Sequence, residues 1–283
     1  MPSLSDPLCC CARRVPPLVI RLVLISYTGD LSGQEERRMT SDGKRIALLG
    51  GAGGIGRALA ARALDEGWVV TVLDLPHSLD RHPVAQGMRA LPVDVTDADG
   101  LAAAMAQVGP MEGFVNLAGF HTGVTPLEET TAEEFDEVMA GNFRGAYLAA
   151  RAALPGLRAA RGAMVNVVSG LAAHVRPGYG LYGANKAAMV HLTKTLALEA
   201  APEVRVNAVG PAAVDTAFLR GGTGRSDEDA PTSLDVDAYA RMTPLGRLAQ
   251  PADVVGPILF LLGPDSAFMT GQVLWVNGGG YMP

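Results

Sequence analysis

The stretch RIALLGGAGGIGRALAARAL, residues 45–64, decides the fold. A short apolar run with β propensity, 45–49, leads into a cluster of glycines, and the cluster leads into an alanine-rich segment typical of a helix. Gly50, Gly54 and Gly56 allow a tight turn from strand to helix, and their missing side chains let a phosphate group approach the backbone. Free N–H groups and the positive dipole end of the following helix favour an anion there. The stretch therefore predicts a strand, a phosphate-binding turn and a helix.

The next apolar run, WVVTVLD at 68–74, predicts a second strand that ends in Asp74, twenty residues after Gly54. A carboxylate in this position bonds the hydroxyls of an adenosine ribose and repels a 2′-phosphate. No Arg or Lys in the glycine cluster precedes Gly54 to receive such a phosphate. The spacing thus predicts a dinucleotide site that prefers NAD to NADP, with a simple turn residue as the alternative interpretation of Asp74.

Tyr182, Lys186 and Ser169, which lie further along the chain, indicate a site for proton transfer. Tyr182 and Lys186, in YGANK, are four residues apart and share one face of a helix. A nearby ammonium favours the phenolate, so we expect Lys186 to lower the pKa of Tyr182 from its ordinary value of about 10. Ser169 ends the apolar run AMVNVVS, at the carboxyl end of a predicted strand, where open α/β sheets bind their ligands. The alternative is an ordinary helix with a solvated lysine.

Together these residues resemble the short-chain dehydrogenase/reductase family, in its compact, non-extended branch, from about Lys44 onward. The family's T-G-x-x-x-G-x-G motif resembles residues 49–56, with Leu49 in place of the threonine. Its N-N-A-G motif resembles residues 116–119, with Leu117 in place of the second asparagine. Each change removes a polar group that ties the glycine loop to neighbouring strands. We therefore expect a less rigid loop around an intact cofactor site.

Further segments extend the resemblance. Asp94-Val95 is similar to the family's adenine-contacting motif, and VRVNAVGP at 204–211 resembles the segment beside the nicotinamide. Thr216 matches the threonine that contacts the carboxamide, and Asn142 matches the helix asparagine that completes the catalytic tetrad. All four tetrad positions therefore carry the family's residue types.

The resemblance implies an oxidoreductase that transfers a hydride between NAD(H) and a secondary alcohol or ketone, with no metal. It implies that Tyr182 is the general acid/base, that Ser169 hydrogen-bonds the substrate oxygen, and that Lys186 binds the nicotinamide ribose. Asn142 would hold, through its main chain, a water of a proton relay. The cofactor contacts that it implies are Gly50, Gly54, Ile55, Gly56, Asp74, Asp94, Val95, Asn116, Ala118, Gly119, Tyr182, Lys186, Pro211 and Thr216.

Two other functions stay open. An NADP(H)-dependent ketoreductase, such as a 3-oxoacyl reductase, uses the same chemistry, but Asp74 argues against it. A sensor or scaffold that binds the cofactor without turnover belongs to a different class of protein, and the intact tetrad argues against it.

Composition and element order predict a single α/β domain with a doubly wound parallel sheet of the Rossmann type. The chain has 283 residues, 48% of them hydrophobic, which suits one domain with a sheet buried on both faces. With a net charge of −6 and no basic stripe, we do not expect a nucleic-acid partner. The helices that alternate with the strands are predicted at 54–66, 97–107, 131–153, 180–200 and 251–262.

The first 40 residues differ from this domain, which we expect to cover 41–283. They contain all three cysteines, at 9–11, and adjacent cysteines do not make a disulfide framework. The apolar run at 15–25 is interrupted by an arginine and is shorter than the ~20 residues of a membrane helix. We interpret 1–40 as a disordered or artefactual extension, with a weak peripheral anchor as the alternative. The protein is expected to be cytoplasmic, without a membrane partner.

The substrate wall is expected in loops at roughly 119–127, 170–180 and 213–245, but the sequence does not identify the substrate. His121 and His174 lie in the first two loops. They could hydrogen-bond a polar substrate or titrate near neutral pH, or they could be ordinary solvated loop residues.

The stretch 220–235 is glycine-rich and charged, which suits a lid that orders when cofactor and substrate bind. Its Arg220 and Arg225 could receive an anionic substrate. A plain surface loop with solvated charges is the alternative.

The helices predicted at 131–153 and 180–200 carry many small residues, which permit close helix approach. In the family that the chain resembles, these helices pair across a twofold axis. We expect a homotetramer, or a dimer, although a GC-rich genome would also explain the alanines.

Overall fold

The computed structural model describes residues 43–222, 227–232 and 234–283. Within these residues seven strands form one parallel sheet in the order β3-β2-β1-β4-β5-β6-β7. The strands are β1 (Arg45–Leu49), β2 (Val69–Asp74), β3 (Arg89–Pro92), β4 (Gly113–Asn116), β5 (Ala163–Val167), β6 (Arg205–Pro211) and β7 (Val273–Val276). The strand order runs outward in both directions from β1 and β4. The predicted doubly wound sheet is therefore confirmed, with its switch point between these two strands.

Helices connect the strands. They are α1 (Gly54–Asp65), α2 (Pro76–Arg81), α3 (Ala98–Val108), α4 (Ala132–Val138), α5 (Gly145–Ala160), α6 (Gly180–Glu199), α7 (Val236–Met242) and α8 (Pro251–Leu262). Four of the predicted helices, which correspond to α1, α3, α6 and α8, begin and end within one residue of the predicted bounds. The sequence pattern does not predict α2 and α7, because helices of six and seven residues are too short to show a clear periodicity.

The helix predicted at 131–153 is present, but it contains a π-helical turn and extends seven residues further than predicted. The chain there forms α4, then a π-helical turn over Met139–Arg144, and then α5, which extends to Ala160. Asn142 lies in the π turn, and its side-chain amide donates to the carbonyl of Val138 at 3.0 Å. An asparagine side chain that bonds a helix carbonyl competes with the backbone ladder, which explains a local widening of the helix at this residue.

Two apolar cores lie on opposite faces of the sheet. On β1, Ala47 and Leu49 belong to the core that includes α3 and α5, whereas Ile46 and Leu48 belong to the core that includes α1 and α8. Every residue of β4 and β5 is buried. Since side chains of a parallel strand point alternately to both faces, burial of both faces requires the continuous apolar runs seen in the sequence. The polar groups of the predicted site therefore lie at the carboxyl ends of the strands.

Two sequence-based interpretations concern residues outside the described part of the chain. The extension at 1–40 is one, and the anion-binding role considered for Arg225 is the other.

Candidate active site

A cavity of about 550 Å³ lies at the carboxyl ends of the strands, at the switch point between β1 and β4. Its wall comes from the segments that follow β1, β2, β3, β4, β5 and β6, together with the C-terminal residues Asn277, Gly280 and Tyr281. This volume is in the range of small-molecule binding sites. Most residues with a predicted role at the site line it, and they are distributed along its length.

The glycine loop forms one part of this wall. Helix α1 begins at Gly54, and its N-cap residue, Gly53, offers no side-chain acceptor to the first N–H groups of the helix. A Cβ atom on Gly54 would lie 2.5 Å from Cγ2 of Thr216, so a larger residue there would collide with the loop after β6. Gly54 thus keeps the helix N-terminus open toward the cavity and also allows Thr216 to approach it. Both residues line the cavity, together with Gly50, Ile55 and Gly56.

The main chain anchors the loop despite the two leucines. The amide of Gly50 donates to the carbonyl of Leu73 at 2.8 Å, and the amide of Leu117 donates to the carbonyl of Leu49 at 2.8 Å. The Leu49 side chain is buried and that of Leu117 packs against the core. Backbone hydrogen bonds and apolar packing therefore replace the side-chain hydrogen bonds that Leu49 and Leu117 cannot form.

Asp74 ends β2 beside this loop and lines the cavity. Its carboxylate accepts the amide of Ala52 at 2.9 Å and the amide of Leu75 at 2.8 Å. Burial raises the pKa of the Asp74 carboxyl, and these two hydrogen bonds and one from Ser78 oppose the rise. Arg57 donates to the Ala52 carbonyl at 2.6 Å and is not among the cavity-lining residues. Asp74 is therefore oriented by the loop and presents a carboxylate at this end of the cavity.

Two other predicted contacts for the adenine also line this end. Asp94 and Val95 follow β3, and the Asp94 carboxylate accepts both the amide and the hydroxyl of Thr96 at 2.8 Å. His77, at the start of α2, lines the same wall, and its charge lowers the pKa of Asp74. In the sequence, only the position of His77, three residues after Asp74, indicates that it could line the cofactor site.

Asn116 lies behind the cavity wall. It is buried at the end of β4, and its side-chain oxygen accepts the amide of Ala118 at 3.1 Å. Ala118 and Gly119 line the cavity, whereas Asn116 does not. The structure therefore gives Asn116 a contact that positions the neighbouring backbone and no direct contact with the cavity.

Ser169 and Tyr182 meet at the other end of the cavity. Ser169 lies two residues beyond the end of β5, and Tyr182 lies in the first turn of α6. The Tyr182 side chain is partly buried, and this burial raises the pKa of the phenol, while a hydrogen bond with Ser169 opposes the rise. The prediction that the pKa of Tyr182 falls below its ordinary value is wrong for this structure, because burial outweighs the favourable interactions.

Lys186 lies beneath the Tyr182 ring. Its ammonium nitrogen is 5.6 Å from the ring centroid and donates to the carbonyl of Val167 at 3.1 Å. Only 3% of the residue is exposed, and burial lowers the pKa of Lys186 from 10.5 to about 8. The i, i+4 geometry predicted for this pair is therefore present, but both groups are desolvated.

Asn142 reaches the same region through Gly119. The side-chain oxygen of Asn142 accepts the amide of Phe120 at 3.0 Å, and its amide donates to the carbonyl of Phe120 at 3.0 Å. A Cβ atom on Gly119 would lie 2.6 Å from that side-chain oxygen and 3.2 Å from the ammonium nitrogen of Lys186. Asn142 is buried and is not part of the cavity wall. Asn142 therefore fixes the backbone of Gly119 and Phe120, just after β4, between its own side chain and that of Lys186.

The two histidines have different environments. The Nε2 atom of His121 donates to the carbonyl of Phe218 at 3.1 Å, and its Nδ1 atom accepts the amide of Gly123 at 3.2 Å. Burial lowers the pKa of His121, so the neutral tautomer that these bonds require is favoured. Both ring nitrogens are thus used by the protein, which argues against a hydrogen bond from His121 to the substrate. His174 lines the cavity and stacks on Tyr281, with ring centroids 5.5 Å apart.

Arg220 does not face the cavity. Its guanidinium donates to the carbonyls of Ala230 at 2.5 Å and Thr216 at 3.3 Å, so Arg220 stabilises the loop to which it belongs. The cavity wall contains a different arginine, Arg176, from the loop after β5. No motif marks Arg176 in the sequence, and its position in the predicted substrate loop 170–180 was the only signal that could have found it.

The described part of the predicted lid is attached to α2. Glu228 forms an ion pair with Arg81 at 3.2 Å and a hydrogen bond with the Nε2 atom of His82 at 3.0 Å, and Asp229 pairs with Arg81 at 3.2 Å. Leu234, from the same segment, lines the cavity. The described part of this segment therefore both pairs with α2 and contributes to the cavity wall.

No helix within 43–222, 227–232 and 234–283 has the length and the apolar character needed to cross a membrane. In the same part of the chain, no group of three or more His, Cys, Asp or Glu side chains is arranged to hold a metal ion.

Comparison with protein families agrees with this geometry. A family model described as enoyl-(acyl carrier protein) reductase matches residues 50–281. The chain is 39% identical to 4-formylbenzenesulfonate dehydrogenase from Comamonas testosteroni, over 83% of this chain and 97% of the relative. It is 34% identical to L-fucose dehydrogenase from Oryctolagus cuniculus, over 84% of each chain. The relatives' names thus describe dehydrogenases with chemically different substrates.

Solved structures with the same fold contain either nicotinamide cofactor. A 3-ketoacyl-(acyl-carrier-protein) reductase from Brucella melitensis complexed with NADH aligns with a TM-score of 0.75 and 28% identity, over 86% of this chain and 100% of that chain. The protein ElxO with NADP bound aligns with a TM-score of 0.73 and 27% identity, over 84% of this chain and 98% of that chain. The fold and the general chemistry are therefore shared, whereas the choice of cofactor differs among the neighbours.

Proposed function

The chain belongs to the short-chain dehydrogenase/reductase family, and from this premise we propose that it transfers a hydride between NAD(H) and a secondary alcohol or ketone. Relatives in the family act on CH–OH groups as dehydrogenases. The observation that carries the proposal is a single cavity with Asp74 at one end, Ser169, Tyr182 and Lys186 at the other, and the glycine loop along its wall. These are the groups that a dinucleotide and an alcohol need.

The wall suits a nicotinamide dinucleotide along its whole length. The open N-terminus of α1 would receive the pyrophosphate, Asp74 would accept the ribose hydroxyls, and Asp94 and Val95 would border the adenine. Pro211 and Thr216 would border the nicotinamide. A nicotinamide held by these residues would supply the hydride acceptor for an alcohol and the hydride donor for a ketone. The support for this fit is the close approach of Thr216 to Gly54, which leaves no room for a side chain at the helix N-terminus.

Tyr182 is proposed to move the proton. In reduction, its phenol donates the proton to the carbonyl oxygen, which becomes the hydroxyl of the product; in oxidation, the phenolate takes that proton back. Ser169 hydrogen-bonds the same oxygen and holds it near the phenol. Lys186 favours the phenolate that forms and contacts the nicotinamide ribose, while Asn142 fixes the strand end beside it. The raised pKa of Tyr182 supports a phenol that holds its proton until the substrate oxygen needs it.

NAD is proposed as the preferred cofactor because of Asp74. A carboxylate that faces a 2′-phosphate would repel it, and the Asp74 carboxylate is held in place by the amides of Ala52 and Leu75. Arg57, the basic residue that follows the glycine motif, is directed to the Ala52 carbonyl and does not line the cavity. The NADP(H)-dependent ketoreductase remains the second candidate, since a 3-ketoacyl reductase, solved with NADH, is among the structural neighbours and another neighbour, ElxO, binds NADP.

The remaining expectations from the sequence stay proposals. We propose that residues 41–283 form the catalytic domain, that the protein acts in the cytoplasm, and that it forms a homotetramer or a dimer. Tyr147 on α5 and Leu198 on α6 are 47% and 81% exposed, which supports an apolar contact through these helices. Light scattering of the purified protein tests the oligomeric state directly.

The first test is a fluorescence titration of the purified protein with NADH and, separately, with NADPH. We expect clearly tighter binding of NADH, after which oxidation of secondary alcohols and polyols is screened for turnover. Tighter binding of NADPH would overturn the role of Asp74 and favour the ketoreductase. If neither cofactor binds, the enzyme proposal is wrong for this chain.

A further inference from the structure

We infer that the substrate end of the cavity contains an oxyanion subsite built on Arg176, so that the substrate carries a carboxylate or a sulfonate. The inference rests on the proposed function, because it assigns the substrate class of the same site. It starts from an arginine that faces the cavity from the loop after β5 and has no catalytic task.

Arg176 is held by an aromatic ring. Its guanidinium carbon lies 5.7 Å from the centroid of the Tyr239 ring, and the Tyr239 hydroxyl accepts the amide of Ala213 at 3.1 Å. A guanidinium that stacks on a ring uses its flat face, so the N–H groups at its edge remain able to bind an anion in a bidentate manner. Among the described residues, no carboxylate lies within ion-pair distance of Arg176. The charge is therefore oriented and uncompensated at the cavity wall.

Tyr281 supplies a second donor near the same place. Its hydroxyl is buried beside the side chain of Asn277. A Cβ atom on Gly170 would lie 2.7 Å from that hydroxyl, so the phenol is next to the residue that follows Ser169. Burial raises the pKa of Tyr281 to about 12, which keeps the phenol protonated and able to donate. The Tyr281 side chain thus contributes to the cavity wall beside the residue that follows Ser169.

The histidine of this loop adds to the polar side of the cavity. His174 stacks on Tyr281 with an angle of 14° between the rings, and it precedes Arg176 by two residues. The polar groups of this end, Arg176, His174 and Tyr281, therefore come from the loop after β5 and the C-terminal segment.

The cavity's carboxylates lie on other elements. Asp74 ends β2, Asp94 follows β3, and Glu137 belongs to α4. None of them is on the loop that carries Arg176, on α7 or in the C-terminal segment.

The opposite side of Tyr182 is aromatic. The Phe218 ring is 5.7 Å from the Tyr182 ring, and the His121 ring is 6.1 Å from it. Since both hydrogen-bonding atoms of the His121 ring are used by the backbone, this side presents mainly apolar surface. The arrangement fits a substrate whose reacting carbon lies between an aromatic or apolar group and an oxyanion.

Binding of three small probes to the full chain, measured by calorimetry with and without NADH, tests the subsite. Benzoate and benzenesulfonate represent the two oxyanions, and benzamide is the uncharged isostere of benzoate. We expect at least one of the acids to bind about tenfold more tightly than benzamide, since hydrogen bonds to a charged group are stronger than neutral ones. We expect Arg176→Gln to abolish this preference and Arg176→Lys to retain part of it.

The matched control is Arg151→Gln, which removes an exposed arginine of α5 that does not line the cavity. Equal binding of the acids and benzamide, no binding of either acid, or an unchanged preference in Arg176→Gln would each overturn the inference. NADH affinity is measured in the same variants and separates the two proposals. Loss of the acid preference with intact NADH binding concerns the subsite alone, whereas failure of the wild type to bind NADH concerns the proposed function.

Discussion

The ammonium nitrogen of Lys186 lies 5.6 Å from the centroid of the Tyr182 ring; Lys186 is buried and Tyr182 is partly buried. Burial favours the neutral form of each group, so the pKa of Lys186 falls to about 8 while that of Tyr182 rises. The phenol is therefore protonated at neutral pH in this structure, ready to act as an acid toward a carbonyl oxygen. Its deprotonation in the oxidation direction depends on the charge that the amine carries.

Replacement of Tyr182 by Phe is expected to lower kcat by about 10²–10⁴-fold, the usual contribution of a positioned acid or base. NADH affinity should change little, because the phenyl ring still fills the space beside the cofactor. Turnover of an identified alcohol and fluorescence titration with NADH measure the two quantities. Tyr147→Phe, on the exposed face of α5, is the matched control and should change neither. Wild-type turnover in Tyr182→Phe would show that the proton moves by another route.

Lys186 is expected to make the stability of the protein depend on pH. Its folded pKa of about 8 is below the unfolded value of 10.5, so the unfolded chain binds more protons between these two pH values. The destabilisation is therefore complete below pH 8 and decreases as pH rises toward 10.5.

Lys186→Met removes this titration. The free energy of unfolding of the variant minus that of the wild type should decrease by ~2 kcal/mol between about pH 7 and pH 9.5, as the pKa difference predicts. Urea denaturation at several pH values measures it. Lys194→Met, an exposed lysine on the same helix, is the control and should give a pH-independent difference. A pH-independent difference for Lys186→Met as well would contradict the desolvation of this amine.

Asp74→Ala is expected to narrow the preference for NADH over NADPH, because the carboxylate that repels the 2′-phosphate is removed. We expect the ratio of the two dissociation constants to change by at least about tenfold, which corresponds to ~1.4 kcal/mol. Asp74→Asn keeps an acceptor for the Ala52 amide and separates the charge from the support of the glycine loop. Asp80→Ala, on the exposed side of α2, is the control. An unchanged ratio in both Asp74 variants would place discrimination elsewhere in the wall.

Arg205→Met is expected to destabilise the fold by ~2–4 kcal/mol, because several buried carbonyls lose their donor. The half-buried guanidinium caps the C-terminus of α8 and the turn that follows it, and burial lowers the pKa of this arginine. The carbonyls that it binds belong to Leu261, Leu262, Gly263, Ser266 and Met269. Thermal and urea unfolding measure the loss.

The control for Arg205 is Arg158→Met, which removes an exposed arginine with a single 3.4 Å bond to the carbonyl of Glu199. This change should cost less than ~1 kcal/mol, as for most surface substitutions. Equal losses in the two variants would mean that the cap at the end of α8 does not contribute to stability beyond an ordinary surface bond.

Local pattern was enough to predict the sheet, because each strand must be apolar on both faces and each helix must have its own periodicity. The glycine turn was predictable for the same reason, since the residues of a turn are neighbours in the chain. The pairing of Tyr182 with Lys186 also follows from helix geometry alone. These features depend on separations of a few residues, so the sequence contains them directly.

Other features arise from contacts between distant segments. The Asn142 side chain is held by bonds to Phe120, 22 residues away, and the backbone anchoring of the glycine loop depends on Leu73 and Leu117. Asn116 matches a cofactor motif, yet its side-chain oxygen accepts a hydrogen bond from the neighbouring amide of Ala118. A motif identifies residue types, but it does not say which of them face the cavity.

The sequence by itself determined the parallel α/β sheet, the glycine turn and the shared helix face of Tyr182 and Lys186, because these follow from periodicity and short-range geometry. Only the tertiary structure decided that burial raises the pKa of Tyr182, that Arg220 bonds its own loop, and that Arg176 faces the cavity. The physical reason is that desolvation and side-chain direction depend on what packs around a group. Those neighbours come from segments that are far apart along the chain.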